Sequence, residues 1–185
     1  MQNTAILFFS RSAHAESGYK QFVTDRQKNS CIAHSLIRHT LRQAEQTGLP
    51  VFHIDEQQQQ GTTFGARFTN AFAQIFARGY DYVISIGNDI PELQSHHITK
   101  AARQLTSGQT DAVLGPDADG GTWLMGYSRA AFSADTFRKL PWQSSRLLDT
   151  IIEQRSDIAI HQLELLADID NAREFNALFE RPMAN

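Results

Sequence analysis

Hydrophobic positions along the chain switch repeatedly between two rhythms, short continuous runs and stripes at helical spacing. Residues 4–9 (TAILFF) form an apolar run of the kind a buried strand presents. Residues 10–29 are polar and without period, and predict a long loop. Loops of that length in compact domains are uncommon and often functional. Residues 12–28 carry too little apolar surface to offset their ordering entropy and are expected to be mobile without ligand. Over 31–47, Ile32, Leu36, Ile37, Leu41 and Ala44 mark one helix face, with Ser30 as N-cap and Gly48 as stop. Residues 50–54 (PVFHI) predict a second strand, and the glutamine run 57–60 a polar connection. The clearest helix follows: Phe64, Phe68, Ala71, Phe72, Ile75 and Phe76 recur at i, i+4, i+7, i+8, i+11 and i+12, between Thr63 as cap and Gly79 as stop.

Residues 81–87 (DYVISIG) are almost continuously apolar, as in strands covered by helices on both faces. After a loop holding Asn88, Asp89 and Pro91, Ser95 is the expected cap of a helix to about Ser107. Residues 111–115 (DAVLG) and 122–127 (TWLMGY) predict strands around a Gly- and Asp-rich loop. Helices near 130–139 and 145–155, a strand near 158–165 and a helix from 171 complete the chain. Strands alternating with helices pair in parallel through right-handed crossovers. The expected architecture is a three-layer α/β/α sandwich with a mainly parallel central sheet. Runs 4–9, 82–86 and 111–115 are expected as neighbouring strands. The length, 185 residues without an evident linker or repeat, fits a single domain over 1–185. Ligands in such sheets bind beyond the carboxyl ends of the strands. That rule selects the loops after Phe9, Gly87 and Gly115.

Charge narrows the choice of partners. A net charge of -3 gives no general field for nucleic acid or an anionic membrane, so a phosphate-bearing ligand needs a local basic group or a metal ion. The single cysteine, Cys31, forms neither an internal disulfide nor a Cys-rich zinc site; it is expected as a small core or boundary residue. No stretch nears the roughly 18 apolar residues of a membrane span, and the residues before Ala5 lack a signal's basic region, so a cytoplasmic protein is expected.

Among possible sites, absences come first. There is no GxxxxGK[ST] loop, no GxGxxG after the first strand, no GxSxG elbow and no HExxH. His96 and His97 are helix neighbours, expected to point apart and not to hold a metal jointly. Asp89 follows the most buried strand by two residues. It can hold Mg²⁺ or Mn²⁺ there, or cap the turn before Pro91. The loop 115–121 (GPDADGG) can bring backbone close to a ligand through Gly120 and Gly121, or simply connect two strands. Asp117 and Asp119 form a literal but common Asp-x-Asp. Asp168 and Asp170 lie in LADIDNAREF, where Asp170 or Asn171 can instead cap the following helix with Glu174 as capping-box partner. Arg67 lies off its helix's apolar stripe and near the N-terminus, against the macrodipole preference, which favours a ligand-facing role. Arg11 and Lys20 are basic residues of the long first loop.

Three segments together resemble the bacterial selenodomain- or radical-SAM-associated transferases, a branch of the GT-A nucleotide-diphospho-sugar transferases. FGARFTNAFAQIFARGYDYVISIGNDIPEL resembles that family's Gly-x-Arg helix, strand and Gly-(Ser/Asn)-Asp-x-Pro-x-Leu turn. VLGPDADGGTWLMG resembles its Leu-Gly-Pro…Asp-Gly-Gly-x-x-Leu-x-Gly segment, and LADIDNAREF its closing Asp-(Ile/Val)-Asp-Thr-Pro-Glu-Asp segment. The resemblance implies a GT-A fold with Asp89 and Asp170 as ligands of Mg²⁺ or Mn²⁺. It carries Gly65 and Arg67 over to the family's Gly-x-Arg and Asp119, Gly120 and Gly121 to its Asp-Gly-Gly; Asp117 has no counterpart, and Arg11 and Lys20 stand as basic residues retained in the first loop. The glycines and basic residues are expected to meet the substrate, and Asp119 is the best candidate for a catalytic general base. The first loop here, SRSAHAESGYKQF, lacks the family's prolines and its Lys-Thr-Arg-Leu run, and Asn171-Ala172 replaces Thr-Pro. The function implied is metal-dependent transfer from a nucleotide-activated donor, a nucleotide-sugar, to an acceptor. Its rivals are nucleotidyl transfer with release of pyrophosphate, and a non-catalytic protein that keeps the fold to bind a ligand or partner.

Overall fold

The computed structural model describes residues 3–180. Alternating strand residues serve opposite faces of one sheet, and this sets the layers. In β1 (Thr4–Phe9), Ala5 and Leu7 enter one core while Ile6 and Phe8 enter the other. β2 (Val51–Ile54), β3 (Tyr82–Ile86), β4 (Ala112–Pro116), β5 (Thr122–Ser128) and β6 (Ile160–Gln162) complete a six-stranded sheet of order β2-β1-β3-β5-β4-β6. β1 pairs in parallel with β2 and β3, and β4 in parallel with β6; β5 runs antiparallel between β3 and β4. The mainly parallel α/β sandwich is as the alternation implied. One detail is corrected: β4 keeps the direction of β1 and β3 but is not their neighbour, because β5 folds back into the gap.

Helix α3 (Phe64–Ala77) packs Phe68, Phe72, Ile75 and Phe76 on one face of the sheet, with α5 (Ala134–Lys139) and α6 (Leu147–Gln154) contributing Phe137, Leu147 and Ile151. Phe72 lies within 6.3 Å, centroid to centroid, of Phe68, Phe76, Tyr127, Phe132 and Phe137. The opposite face is covered by α2 (Arg26–Glu45) and α4 (Ser95–Thr106) through Ile37, Ala44, Ile98, Ala101 and Leu105. Thr63 caps α3 as expected, its hydroxyl accepting the Ala66 N–H.

The first loop departs from expectation. Residues 12–28 are folded, with α1 (Ala13–Tyr19) capped by Ser12 and α2 beginning at Arg26, capped by Asp25 rather than Ser30. Ser30 and Cys31 lie inside α2, and Cys31 is exposed rather than a core residue. Buried Asn29 supplies what the sequence pattern hides: its Oδ1 accepts the Phe22 and Val23 N–H groups, and its Nδ2 donates to the Ser17 and Lys20 carbonyls. Phe22 is thereby driven against Ala33 and Ile169, where α7 (Ala172–Glu180) adds Phe175 and Leu178. The ordering entropy of the segment is offset by these distant contacts and not by a periodic apolar face of its own.

Two smaller shifts at helix starts come from side-chain capping. α4 begins at Ser95 with Gln94 as its N-cap, because His97 Nδ1 accepts the Gln94 N–H. α5 starts at Ala134 behind a Ser133 cap, and the strand expected near 158–165 narrows to Ile160–Gln162. Among the described residues no helix is long and apolar enough to cross a membrane.

Candidate functional site

The carboxyl ends of β1, β3 and β4 open on a cleft of about 640 Å³. The segment after β6 closes one side. Leu163 and Leu166 N–H groups bond the Leu114 and Pro116 carbonyls, and the Ile169 N–H bonds the Asp89 carbonyl at 2.9 Å. These backbone bonds draw residues 168–170 beside the β3 turn. Asp89, Asp117, Asp119, Asp168 and Asp170, from three separate segments, all line the cleft.

Lys20 sits at the centre of this acidic group. It is only 9 % exposed, and its Nζ lies 2.9 Å from Asp89 Oδ2 and 2.5 Å from Asp170 Oδ1, with Glu16 Oε1 at 3.6 Å. Burial opposes its charge most, but Asp89 and then Asp170 outweigh that and hold its pKa above the ordinary lysine value. Asp168 is the converse case. Burial, then the charges of Asp89, Asp170 and Asp117, push its carboxyl up to about 7. Asp117 is also raised, first by burial, although its Oδ1 accepts the Asp119 and Gly121 N–H groups at 3.0 and 2.7 Å. It shapes the loop whose family-like residues follow it.

The closing segment caps a helix and also lends a carboxylate to the cleft. Asn171 caps α7, its Oδ1 accepting the Arg173 and Glu174 N–H groups, while the Glu174 carboxylate accepts the Asp170 N–H and the Asn171 amide. The cap uses the backbone of Asp170 and leaves its carboxylate to Lys20.

The remaining sequence candidates divide. Arg11, Arg67 and Gly121 line the cleft with Lys20; Gly65 and Gly120 do not. The Arg11 guanidinium stacks 3.7 Å from the Tyr19 ring centroid and lies 3.6 Å from buried Glu16. Arg67 makes no ion pair among the described residues. Gly65 lies under Trp142, whose ring a Cβ would meet at 2.5 Å. Gly120 has φ +83°, and a Cβ there would overlap the Ser145 carbonyl. Asp119 is exposed at the mouth. Pattern reading passed over Asn88, which lines the cleft, is 6 % exposed and has an Nδ2 without a partner among the described residues. It also passed over Trp123 and Trp142 in the wall, which no local spacing reveals.

A second cluster corrects an expectation. The His96 and His97 rings do not point apart: their centroids are 4.0 Å apart, and with Glu164 their ligand atoms all lie within 4.8 Å, a group that could hold a metal. His97 Nδ1 accepts the Gln94 N–H, which places the proton of the neutral ring on Nε2, 3.5 Å from Glu164 Oε1. Lys100 donates to the other Glu164 oxygen at 2.7 Å. A metal held by His97 Nε2 here would need that proton to move, and Lys100 already occupies one of the two Glu164 oxygens.

The family described as "Uncharacterized protein conserved in bacteria (DUF2064)" matches residues 25–144. The match spans Arg67, Asp89, Asp117 and Asp119 and stops short of Lys20, Asp168 and Asp170. No match is found among curated proteins. Solved structures share the fold. A "putative nucleotide-diphospho-sugar transferase" from Desulfovibrio desulfuricans G20 is 24% identical with a TM-score of 0.84, over 97% of this chain and 87% of its own. A 4-diphosphocytidyl-2C-methyl-D-erythritol synthase from Anaerococcus prevotii DSM 20548 is 10% identical with a TM-score of 0.61, over 97% of this chain and 99% of its own. Rv0371c of Mycobacterium tuberculosis H37Rv, solved with manganese, is 11% identical with a TM-score of 0.58, over 97% and 99%. At these identities the likeness is one of fold.

Proposed function

The chain belongs to the DUF2064 family, and we propose that it is a metal-dependent transferase that uses a nucleotide-activated donor, a nucleotide-sugar. The narrower likeness to selenodomain- and radical-SAM-associated transferases belongs to the same proposal and rests on the three sequence segments. The observation that carries it is the gathering of Asp89, Asp117, Asp119, Asp168 and Asp170 with Lys20 in one cleft at the carboxyl edge of the sheet.

The donor set fits a hard cation. Its oxygens are carboxylates, the ligands Mg²⁺ and Mn²⁺ prefer. Burial first, and then the charges of Asp89, Asp170 and Asp117, hold the Asp168 carboxyl at about 7, so neighbouring carboxylates still act on it with Lys20 in place. Asp89 and Asp170 would hold the ion, which when bound would supply Lewis-acid neutralisation of the charge on the departing group. Arg67, a cleft cation without a carboxylate partner among the described residues, would meet the phosphates directly, with Lys20 and Arg11 nearby. The Gly121 backbone would shape the wall, while Gly120 and Gly65 act behind it, holding the loop against Ser145 and the helix against Trp142. Asp119, exposed at the mouth, would take the proton from the acceptor.

The test is a thermal-shift and calorimetric screen of nucleotides and nucleotide-sugars with Mg²⁺ or Mn²⁺, on wild type and Asp89→Ala. A ligand at 100 times its dissociation constant stabilises the native state by about 2.7 kcal/mol. Metal-dependent binding lost in Asp89→Ala is the expected result. Pyrophosphate released from a triphosphate would replace glycosyl by nucleotidyl transfer. No nucleotide binding, with or without metal, would leave a binding protein that keeps the fold.

A further inference from the structure

Lys20 stands where the proposed cation would. Its ammonium lies 2.9 and 2.5 Å from the two carboxylate oxygens of Asp89 and Asp170. A second cation cannot take the same pair of oxygens while it stays, because like charges at that separation in a part-buried site repel strongly. The lysine is not a loose surface group. Its carbonyl accepts the buried Asn29 amide at 2.9 Å, and its N–H donates to the Glu16 carbonyl at 2.8 Å. The backbone is therefore fixed, and only the side chain is free to turn. Buried Glu16, with Oε1 3.6 Å from the ammonium, offers it another carboxylate partner.

We propose that Lys20 is a built-in competitor for the metal: its ammonium closes the Asp89–Asp170 pair in the ligand-free protein and must turn away before a divalent ion is taken. The inference rests on the reading of Asp89 and Asp170 as the metal ligands. Once displaced, the ammonium needs a new anionic partner, and the phosphates of an incoming donor supply one. Metal and anion then bind cooperatively, since each favours the same position of Lys20. Metal alone binds weakly, and the site is guarded against cations that arrive without a substrate.

The test uses Mn²⁺ alone, by calorimetry and by the electron paramagnetic resonance of free Mn²⁺. Lys20→Met removes the charge and keeps the bulk of the side chain. It is expected to bind Mn²⁺ on the order of ten-fold or more tightly than wild type, because a full like charge leaves the site. Adding Asp89→Asn should abolish the gain. Lys20→Arg, which keeps the charge, should stay as weak as wild type. Equal affinity in wild type and Lys20→Met, or a gain that survives Asp89→Asn, overturns the proposal. If Lys20→Met does not fold, Lys20→Gln takes its place; failure of both to fold makes the ammonium a structural cation and also overturns it. In wild type, amine acylation mapped by mass spectrometry should find Lys20 protected without ion and reactive at saturating Mn²⁺; unchanged protection counts against it. No step requires a nucleotide. Absence of nucleotide binding would therefore defeat the functional reading above and leave the Mn²⁺ result standing.

Discussion

Asp89 and Lys20 meet across a sequence separation of 69, and their pairing changes what replacing either does. From its place beyond β3, Asp89 could be removed with little effect on folding. Paired with a nine-tenths-buried ammonium, it becomes a part-buried ion-pair partner whose loss leaves that charge to Asp170 and the more distant Glu16. Asp89→Ala is therefore expected to lower stability by about 1.5–3 kcal/mol, the typical worth of a hydrogen bond to a charged group, while keeping the fold. Urea unfolding reads this, and a stability gain would refute it. Gly120 shows a backbone constraint at the same scale. With φ +83° and the Ser145 carbonyl in the way of a Cβ, Gly120→Ala should cost about 2–3 kcal/mol and disturb the loop that orients Asp117 and Asp119. A change below about 0.5 kcal/mol in thermal unfolding would mean that the loop relaxes freely.

At the scale of elements, α4 carries a pH dependence that its sequence does not announce. His97 accepts the Gln94 N–H, and burial, then the charge of His96, lowers its pKa below 6.5. The unfolded chain therefore takes up the proton first as pH falls. The stability from neutral His97 is fully present above 6.5 and is lost as pH drops below that value towards the folded pKa. Protonation also occupies the nitrogen that accepts the cap bond. Between pH 6.5 and about 5, the melting temperature of wild type should fall further than that of His97→Gln, which keeps an acceptor but does not titrate. Parallel falls in both proteins would assign the acid sensitivity elsewhere. The first loop shows the same lesson in an element without period: Asn29 satisfies two N–H groups and two carbonyls there. A single buried amide organises a segment whose apolar pattern predicts nothing.

For the whole molecule, the sheet divides the core in two, and the face under α3 is dominated by aromatic rings. Phe72 is fully buried and touches rings from α3, β5, the segment before α5, and α5 itself. Phe72→Ala should cost about 3–5 kcal/mol, a large share of the roughly 5–15 kcal/mol that holds a domain together. Urea denaturation would show it as a lowered midpoint at nearly unchanged slope. A loss under about 1 kcal/mol would mean that the surrounding rings collapse into the space.

The alternation of apolar runs and stripes was enough to determine the α/β class, the two covered faces and the edge of the sheet where the cleft opens, because burial imposes those periods locally. The place of Asp89 at that cleft was legible for the same reason, as a carboxylate just past the most apolar strand. The insertion of β5 between β3 and β4 was not, since an antiparallel return and a parallel crossover present the same apolar run. Nor was the folded first loop, whose stabilising contacts come from Asn29 and from Ile169 near the far end of the chain. The centre of the site belongs wholly to tertiary structure. Lys20, Asp89 and Asp170 are held together by contacts across 69 residues and more, and an ion pair between distant segments leaves no periodicity in the chain to read.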